Sequence, residues 1–298
     1  MLRCESRWDG WTPTLIDARY KFLEASKPVV FTILMSVYFR EKPGALDEAL
    51  ASLASQTLTP AEIVLVKDGP LTPELDAVIT RHAAQLPMKL LPLERNAGLT
   101  GALNAGLAVA SQPWIMRFDS DDICLPNRVQ VQTDMAASGT LDLFGAQIGE
   151  FESDASVVGQ ARIVPYEHEA ILKFARRRNP FNHMTTCYRR DLVLRHGGYP
   201  AIPLMEDYAL WATLLAAGAR TANSPERLVL ARVGNGMLAR RGGMPYVRSE
   251  WFLQALLVRL GLKSRVASII DGSLRSAVFL SPLNLRSWVY ARLLRQRR

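Results

Sequence analysis

Cysteine is scarce in these 298 residues: Cys4, Cys124 and Cys187 lie far apart and form no CxxC. So sparse and odd a set argues against a disulfide framework or a zinc knuckle and suits a reducing cytosol. Long hydrophobic runs are also missing. A membrane span needs roughly 20 mostly apolar residues, whereas the longest charge-free stretch, Asn96 to Met116, is broken by Asn, Gln, Gly and Pro. The N-terminus carries Arg3, Glu5, Arg7 and Asp9 instead of an apolar core, so no secretory signal is expected. Neither GxGxxG nor GxxxxGK(S/T) occurs, which removes the dinucleotide fingerprint and the P-loop as means of holding phosphate.

What is present is an ordinary globular composition, 49% hydrophobic and 21% charged, which excludes collagen-like, coiled-coil and disordered chains. The length suits one large domain or two modest ones. The net charge of +8 is unevenly spread. Residues 227–298 carry 14 Lys and Arg against 2 acids, a net of +12, while residues 1–226 carry a net of −4. The two regions are therefore expected to meet different partners.

Residues 29–118 alternate between two patterns. A continuous apolar, β-branched run at 29–38 reads as a strand buried on both faces, and 62–67, 88–93 and 114–118 read as further strands. Helical spacing occupies 43–56, 73–85 and 100–110, with Leu46, Ala49, Leu50 and Leu53 on one face of the first. Such alternation predicts an α/β fold with a mostly parallel sheet and right-handed crossovers. Ligands of such sheets bind beyond the carboxyl ends of the strands. At those positions stand Tyr38 to Glu41, Asp68-Gly69-Pro70, Arg95 to Gly98, and Asp119-Ser120-Asp121-Asp122.

Three acids in four residues repel one another, and a divalent cation relieves that repulsion when one or two carboxylates hold it together with substrate phosphates. A solvated turn would use the same residue types. The second acidic pair, Glu206-Asp207, opens a helical pattern containing Tyr208, Trp211, Thr213 and Leu215. Acids there complement the helix dipole; one of them could equally act as a general base toward a hydroxyl.

Taken in order, Ser36-Val37-Tyr38, Leu53 to Thr57, Glu62 to Gly69, Asn96 to Leu99, Ala102 to Gly106, Arg117 to Ile123, Pro126-Asn127-Arg128 and Glu206 to Trp211 resemble the family 2 glycosyltransferases. Those are inverting enzymes with the GT-A fold. The likeness is greatest to the bacterial subgroup that builds O-antigen, capsule and exopolysaccharide, which Asn179 to Thr185 and Arg240 to Gly243 also resemble. The resemblance implies an N-terminal extension at 1–28 and a glycosyltransferase domain at 29–243, with nucleotide-binding half 29–122 and acceptor half 123–243. A basic amphipathic helical region follows at 244–298.

The donor pocket so implied comprises Val37, Tyr38, Glu41, Asp68, Asn96, Gly98, Asn104, Arg117, Asp119, Ser120, Asp121, Arg240 and Arg241. Asp68 would meet uracil, Asp119 and Asp121 would bind Mn²⁺ or Mg²⁺, and Asp207 would be the base supported by Glu206. His183 and Trp211 are candidates for the acceptor side, although each also suits a structural role. Arg176 to Arg178 reads either as a solvated face or as a diphosphate contact. Three departures stand out. Leu103 replaces an arginine common in the family, Lys67 replaces an acid beside Asp68, and QxxRW is absent, which implies addition of one sugar per event.

The expected partners are a UDP-sugar, a saccharide on polyprenyl diphosphate, and an anionic membrane surface reached through 244–298. A second copy of the chain is a further expectation; nucleic acid is not expected. This would make the protein cytoplasmic and peripheral on the inner membrane face. A catalytically dead sugar-nucleotide-binding scaffold and a sugar-phosphate nucleotidyltransferase remain alternatives; the latter normally has a Gly-rich basic loop where this chain has Tyr38 to Glu41.

Overall fold

The strand β1, Phe31–Val37, shows how the molecule is layered. Side chains alternate across a strand, and here both sets are buried. Phe31, Ile33, Met35 and Val37 enter one hydrophobic cluster with the helices α1 (Pro43–Ala54) and α2 (Pro73–Ala83), while Leu34 enters another with α3 (Gly98–Val109). A sheet between two helical layers results. Gly106 lets α3 approach closely, because a Cβ there would stand 2.4 Å from Leu34 Cδ1 and 2.8 Å from Val66 Cγ2. Pro43 and Pro73 open their helices, and the Thr72 side chain caps α2 by accepting from Leu75 N.

This computed structural model describes residues 29–159, 162–233, 242–286 and 289. The 1–28 extension, Arg240, Arg241, Trp288 and Leu293 lie outside the described residues. Among those described, β2 (Glu62–Lys67), β3 (Met88–Pro92), β4 (Trp114–Arg117), β5 (Ile123–Cys124), β6 (Leu143–Phe151), β7 (Cys187–Arg189) and β8 (Thr221–Arg232) join β1 in one sheet ordered β3-β2-β1-β4-β7-β6-β8-β5. The run β3-β2-β1-β4 is parallel, as the repeats predict. Beyond it, β7 is antiparallel to both β4 and β6, β8 is parallel to β6, and β5 is antiparallel to β8. Cys124 and Cys187 are buried and free.

Helices α4 (Arg128–Ala137), α5 (His168–Ala175), α6 (Arg190–Arg195) and α7 (Glu206–Ala216) belong to the second half. The C-terminal region forms α8 (Met244–Arg259) and α9 (Arg265–Leu280). Leu253, Leu256 and Leu257 of α8 are buried on Tyr208, Ala209 and Ala212 of α7. Part of the apolar side of α8 is thus spent on the domain that bears Glu206 and Asp207. Among the described residues no helix is long and apolar enough to cross a membrane.

Candidate active site

Because β1, β2, β3 and β4 run the same way, their carboxyl ends share one edge of the sheet. Val37, buried at the end of β1, accepts from Asp68 N at 2.8 Å and so joins the first two tips. Tyr38 and Phe39 follow it into solvent. The buried Asp68 carboxylate receives Ala97 N at 2.6 Å and Asn96 Nδ2 at 2.9 Å. Asn96 in turn accepts from Gly98 N at 3.2 Å. Asp68 therefore anchors the chain entering α3, and a uracil would meet only its remaining lone pairs. Gly69, at φ +86°, is packed so tightly on this segment that a Cβ would lie 2.8 Å from Asn96 N. Only glycine fits there.

The β1 and β4 tips also meet, since Ser120 Oγ donates to Glu41 Oε2 at 2.7 Å. Between the strands and the acids lies Arg117, 2% exposed and ion-paired with Asp119. Its backbone is fixed on both sides. Arg117 N donates to Thr186 O at 2.8 Å, and Arg128 Nη2 donates to Arg117 O at 2.6 Å. Arg128 is itself held by Gln132, whose amide reaches Thr185 O. Gln56 staples the same region from behind, donating to Leu125 O and accepting from Val129 N. These motif residues are supports for the acid-bearing loop.

The loop itself is electrostatically stressed. Burial, with Asp119 and Glu41 nearby, pushes the Asp121 carboxyl up to about 7. Burial and the two preceding aspartates hold Asp122 well above its ordinary value. Asp122 Oδ1 accepts from Arg232 N at 2.8 Å, but Oδ2 is buried with no hydrogen-bond partner. Arg232 also donates to Asp121 O at 2.9 Å and pairs with Glu48. It is a support from β8, 110 residues further along the chain, and no local motif announces it.

No group of three His, Cys, Asp or Glu side chains among the described residues could by itself cage a metal. A cation sharing its coordination with diphosphate needs fewer protein ligands. The hard oxygen donors of Asp119 and Asp121 fit that second case.

The opposing acids stand in the first turn of α7. Asn179 Nδ2 donates to Asp207 Oδ2 at 2.6 Å, and Tyr208 N donates to Oδ1 at 2.6 Å. Burial nevertheless leaves the Asp207 carboxyl above its ordinary range, against the pull of those bonds and of Arg162 and Arg117. Glu206 is 9% exposed, and burial plus the Asp207 charge raise it to about 7. Arg117 acts on both α7 acids as well as on the β4 cluster.

The acceptor candidates and Asn104 belong to the scaffold. Trp211 is fully buried, in ring contact with Phe181, His183, Tyr188 and Tyr199, and so presents no face to a sugar. His183 Nε2 lies 3.1 Å from Tyr199 Oη, and burial together with Arg117 keeps the ring neutral. Asn104 spends its amide on the Tyr199 backbone, donating to its O at 2.9 Å and accepting from its N at 2.8 Å.

The glycosyl transferase family 2 model matches residues 32–198. An uncharacterized glycosyltransferase of Haemophilus influenzae is 42% identical over 89% of this chain and 99% of its own length. The amylovoran biosynthesis glycosyltransferase AmsE of Erwinia amylovora is 40% identical over 88% and 98%. An Escherichia coli UDP-Gal:alpha-D-GlcNAc-diphosphoundecaprenol beta-1,3-galactosyltransferase is 35% identical over 89% and 97%. Among solved structures, S. aureus TarS 1–349 in complex with UDP-GlcNAc gives a TM-score of 0.62 at 17% identity, covering 77% of this chain and 67% of that one. A Pyrobaculum calidifontis mannosyltransferase in complex with GDP-Man and Mn²⁺ gives 0.56 at 17% identity, over 94% and 87%. The fold is thus GT-A. With the family model spanning more than half of the chain, and full-length relatives above one-third identity, the chain belongs to glycosyl transferase family 2.

Proposed function

We propose that the chain moves one hexose, glucose, galactose or an N-acetyl derivative, from a UDP-sugar to a hydroxyl of a saccharide carried on polyprenyl diphosphate. The product would be β-linked and would serve bacterial surface polysaccharide assembly. The observation that carries this reading is a pair of acidic clusters from different halves of the fold, both under the field of the buried Arg117. The names of the Escherichia coli and Erwinia amylovora relatives support the acceptor and the pathway class.

In this reading the strand-tip edge holds the nucleotide, with Tyr38 and Glu41 beside it and Asp68, Asn96 and Gly98 shaping its floor. Asp119 and Asp121 would hold Mn²⁺ or Mg²⁺, which neutralises charge on a departing diphosphate when bound. Asp207 accepts the proton of the acceptor hydroxyl at its carboxylate while that oxygen attacks the anomeric carbon and UDP leaves from the opposite face. A single displacement inverts the linkage. Asn179 and Tyr208 N aim the Asp207 carboxylate. Glu206, protonated near neutrality, spares Asp207 a second negative charge beside it. Such a general base contributes about 10²–10⁴-fold in rate. Because the acceptor lipid remains in the bilayer, the enzyme would work at the cytoplasmic membrane surface.

Two measurements test this. UDP-sugars should protect the protein against thermal unfolding, since a ligand of the native state stabilises by mass action; a panel in which none protects overturns the donor. NMR of the product made on a synthetic lipid-linked acceptor should give a β linkage, and an α linkage overturns inversion.

A further inference from the structure

The helix α9 is inside out. A surface helix of a globular protein turns its apolar stripe to the core and its charges to water. On α9 the residues facing the protein are polar or small along most of its length, Phe279 near its end being the apolar exception, packed on Tyr246. Ser268 Oγ donates to Gln254 O at 3.3 Å, and Asp271 pairs with Lys263 at 2.6 Å. Gly272 packs on the Trp251 ring, and Arg275 pairs with Glu250 at 3.3 Å. The opposite face carries Val266, Ile269, Ile270, Leu274 and Leu280, each between 54% and 69% exposed. Their spacing keeps them on one side over four turns. Beside them, α8 exposes Trp251 and Phe252.

The charges around this face have one sign. The acids of residues 242–286 are Glu250 and Asp271, and both are turned inward into ion pairs. Arg248, Arg259 and Arg265 are exposed.

We infer that the Val266–Leu280 face of α9, with Trp251 and Phe252, is seated in the headgroup and acyl boundary of an anionic bilayer. An apolar face with a cationic rim and an aromatic edge is the pattern of an interfacial helix. A second copy of the chain would bring the same cations against each other, whereas anionic lipid complements them. This places the membrane contact on α9 and the outer side of α8, and not on the stripe of α8 already buried on α7. The inference rests on the proposed lipid-linked acceptor for its purpose, but vesicle binding needs neither donor nor acceptor, so the two readings fail separately.

The test is flotation of the full chain with equimolar phosphatidylglycerol and phosphatidylethanolamine vesicles, compared with pure phosphatidylcholine. The wild type should float with the anionic vesicles at low salt and less so at high salt. Ile270→Ser/Leu274→Ser should weaken partition at least about tenfold, since two buried aliphatic side chains leave the apolar phase. Ile270→Glu/Leu274→Glu should abolish it. Both sites are exposed, so circular dichroism and the thermal midpoint with UDP should match the wild type, and equal UDP protection in the variants separates a docking defect from a defect at the donor site. A wild type that stays with the soluble fraction at low salt overturns the inference, as does a folded Glu pair that floats like the wild type. A wild-type dimer in light scattering that the Glu pair dissociates, with vesicle binding unchanged, assigns the face to a second copy and also overturns it.

Discussion

Glu206→Gln should stabilise the protein, by an amount that grows as pH rises from about 4.5 to about 7 and is level above that. In the native state Glu206 is 9% exposed, and burial with the adjacent Asp207 charge lifts its carboxyl from 4.5 to about 7. A carboxyl raised on folding contributes its full stability below its unfolded value and loses it as pH rises through the folded one. The relevant window therefore runs from about pH 4.5 to about pH 7. A shift of about 2.5 units at 1.36 kcal/mol each sets a ceiling of about 3 kcal/mol on the cost of ionising it in place. Glutamine keeps the shape and never ionises. For a chain of this size 1 kcal/mol moves the midpoint by about 2 °C, so the variant should melt with the wild type at about pH 5 and roughly 5 °C above it at about pH 8.5.

Calorimetry across that range, without nucleotide, reads the difference directly. The gap should reach half its final size midway between the two values, at about pH 6, in the wild-type background and lower in Asp207→Asn, because the Asp207 charge is the second cause of the shift. A gap that stays constant with pH would refute the reasoning, since it would mean Glu206 ionises as freely in the fold as in the unfolded chain.

Other outcomes bear on the proposed mechanism. Asp207→Asn should still be protected by UDP yet lose transfer by about 10²–10⁴-fold, the range of a lost general base; activity within a few-fold of wild type would remove Asp207 from that role. Asn179→Ala should lower kcat more than it raises KM and move the acid limb of the rate profile upward, because the amide now pulls the Asp207 pKa down; an unmoved limb would make Asn179 merely structural. Excess EDTA and Asp121→Ala should each abolish transfer while leaving the melting curve of the free protein cooperative, and full turnover in EDTA would exclude the carboxylate-held cation.

Legibility in the sequence followed the range of the interactions. The parallel half could be read because each strand and helix declares itself locally, and the Asp68 and Asp119 to Asp122 motifs sit where the strands end. The strands β6 and β8 do not declare themselves. Gln147 is buried in β6 only because the Val164 and Ser224 backbones satisfy its amide, and β8 contains Asn223, Ser224 and Pro225. The resemblance puts Asn104 in the donor pocket, whereas its partner Tyr199 lies 95 residues away. The 244–298 region reads as basic, amphipathic and helical, but amphipathic character does not say which face is inward. The ion pairs of Asp271 and Arg275 decide that, and they depend on Lys263 and Glu250 finding them in three dimensions.

The topology explains why one buried arginine can serve two acidic clusters. A wholly parallel sheet would give Arg117 a further parallel neighbour and helices on either side. Here β4 instead meets β7 antiparallel, and the turn before β7 supplies Thr186 O to Arg117 N. That reversal also brings the aromatic group of Tyr188, Tyr199 and Trp211 under the start of α7. The cation is thus fixed by backbone contacts from both halves, and neither acidic cluster can be moved without moving its counter-charge. Replacing Arg117 by Met would remove the ion-pair partner of Asp119 and take away a cation that favours the ionised forms of Asp121, Asp122 and Glu206. Breaking a buried pair from one side costs about 3–5 kcal/mol, far more than the loss of one surface ion pair at about 0–1 kcal/mol. Arg117→Met should therefore lower the thermal midpoint by roughly 5 °C or more and weaken UDP protection together with transfer. A variant with wild-type stability and wild-type UDP protection would show that the two clusters do not share this charge.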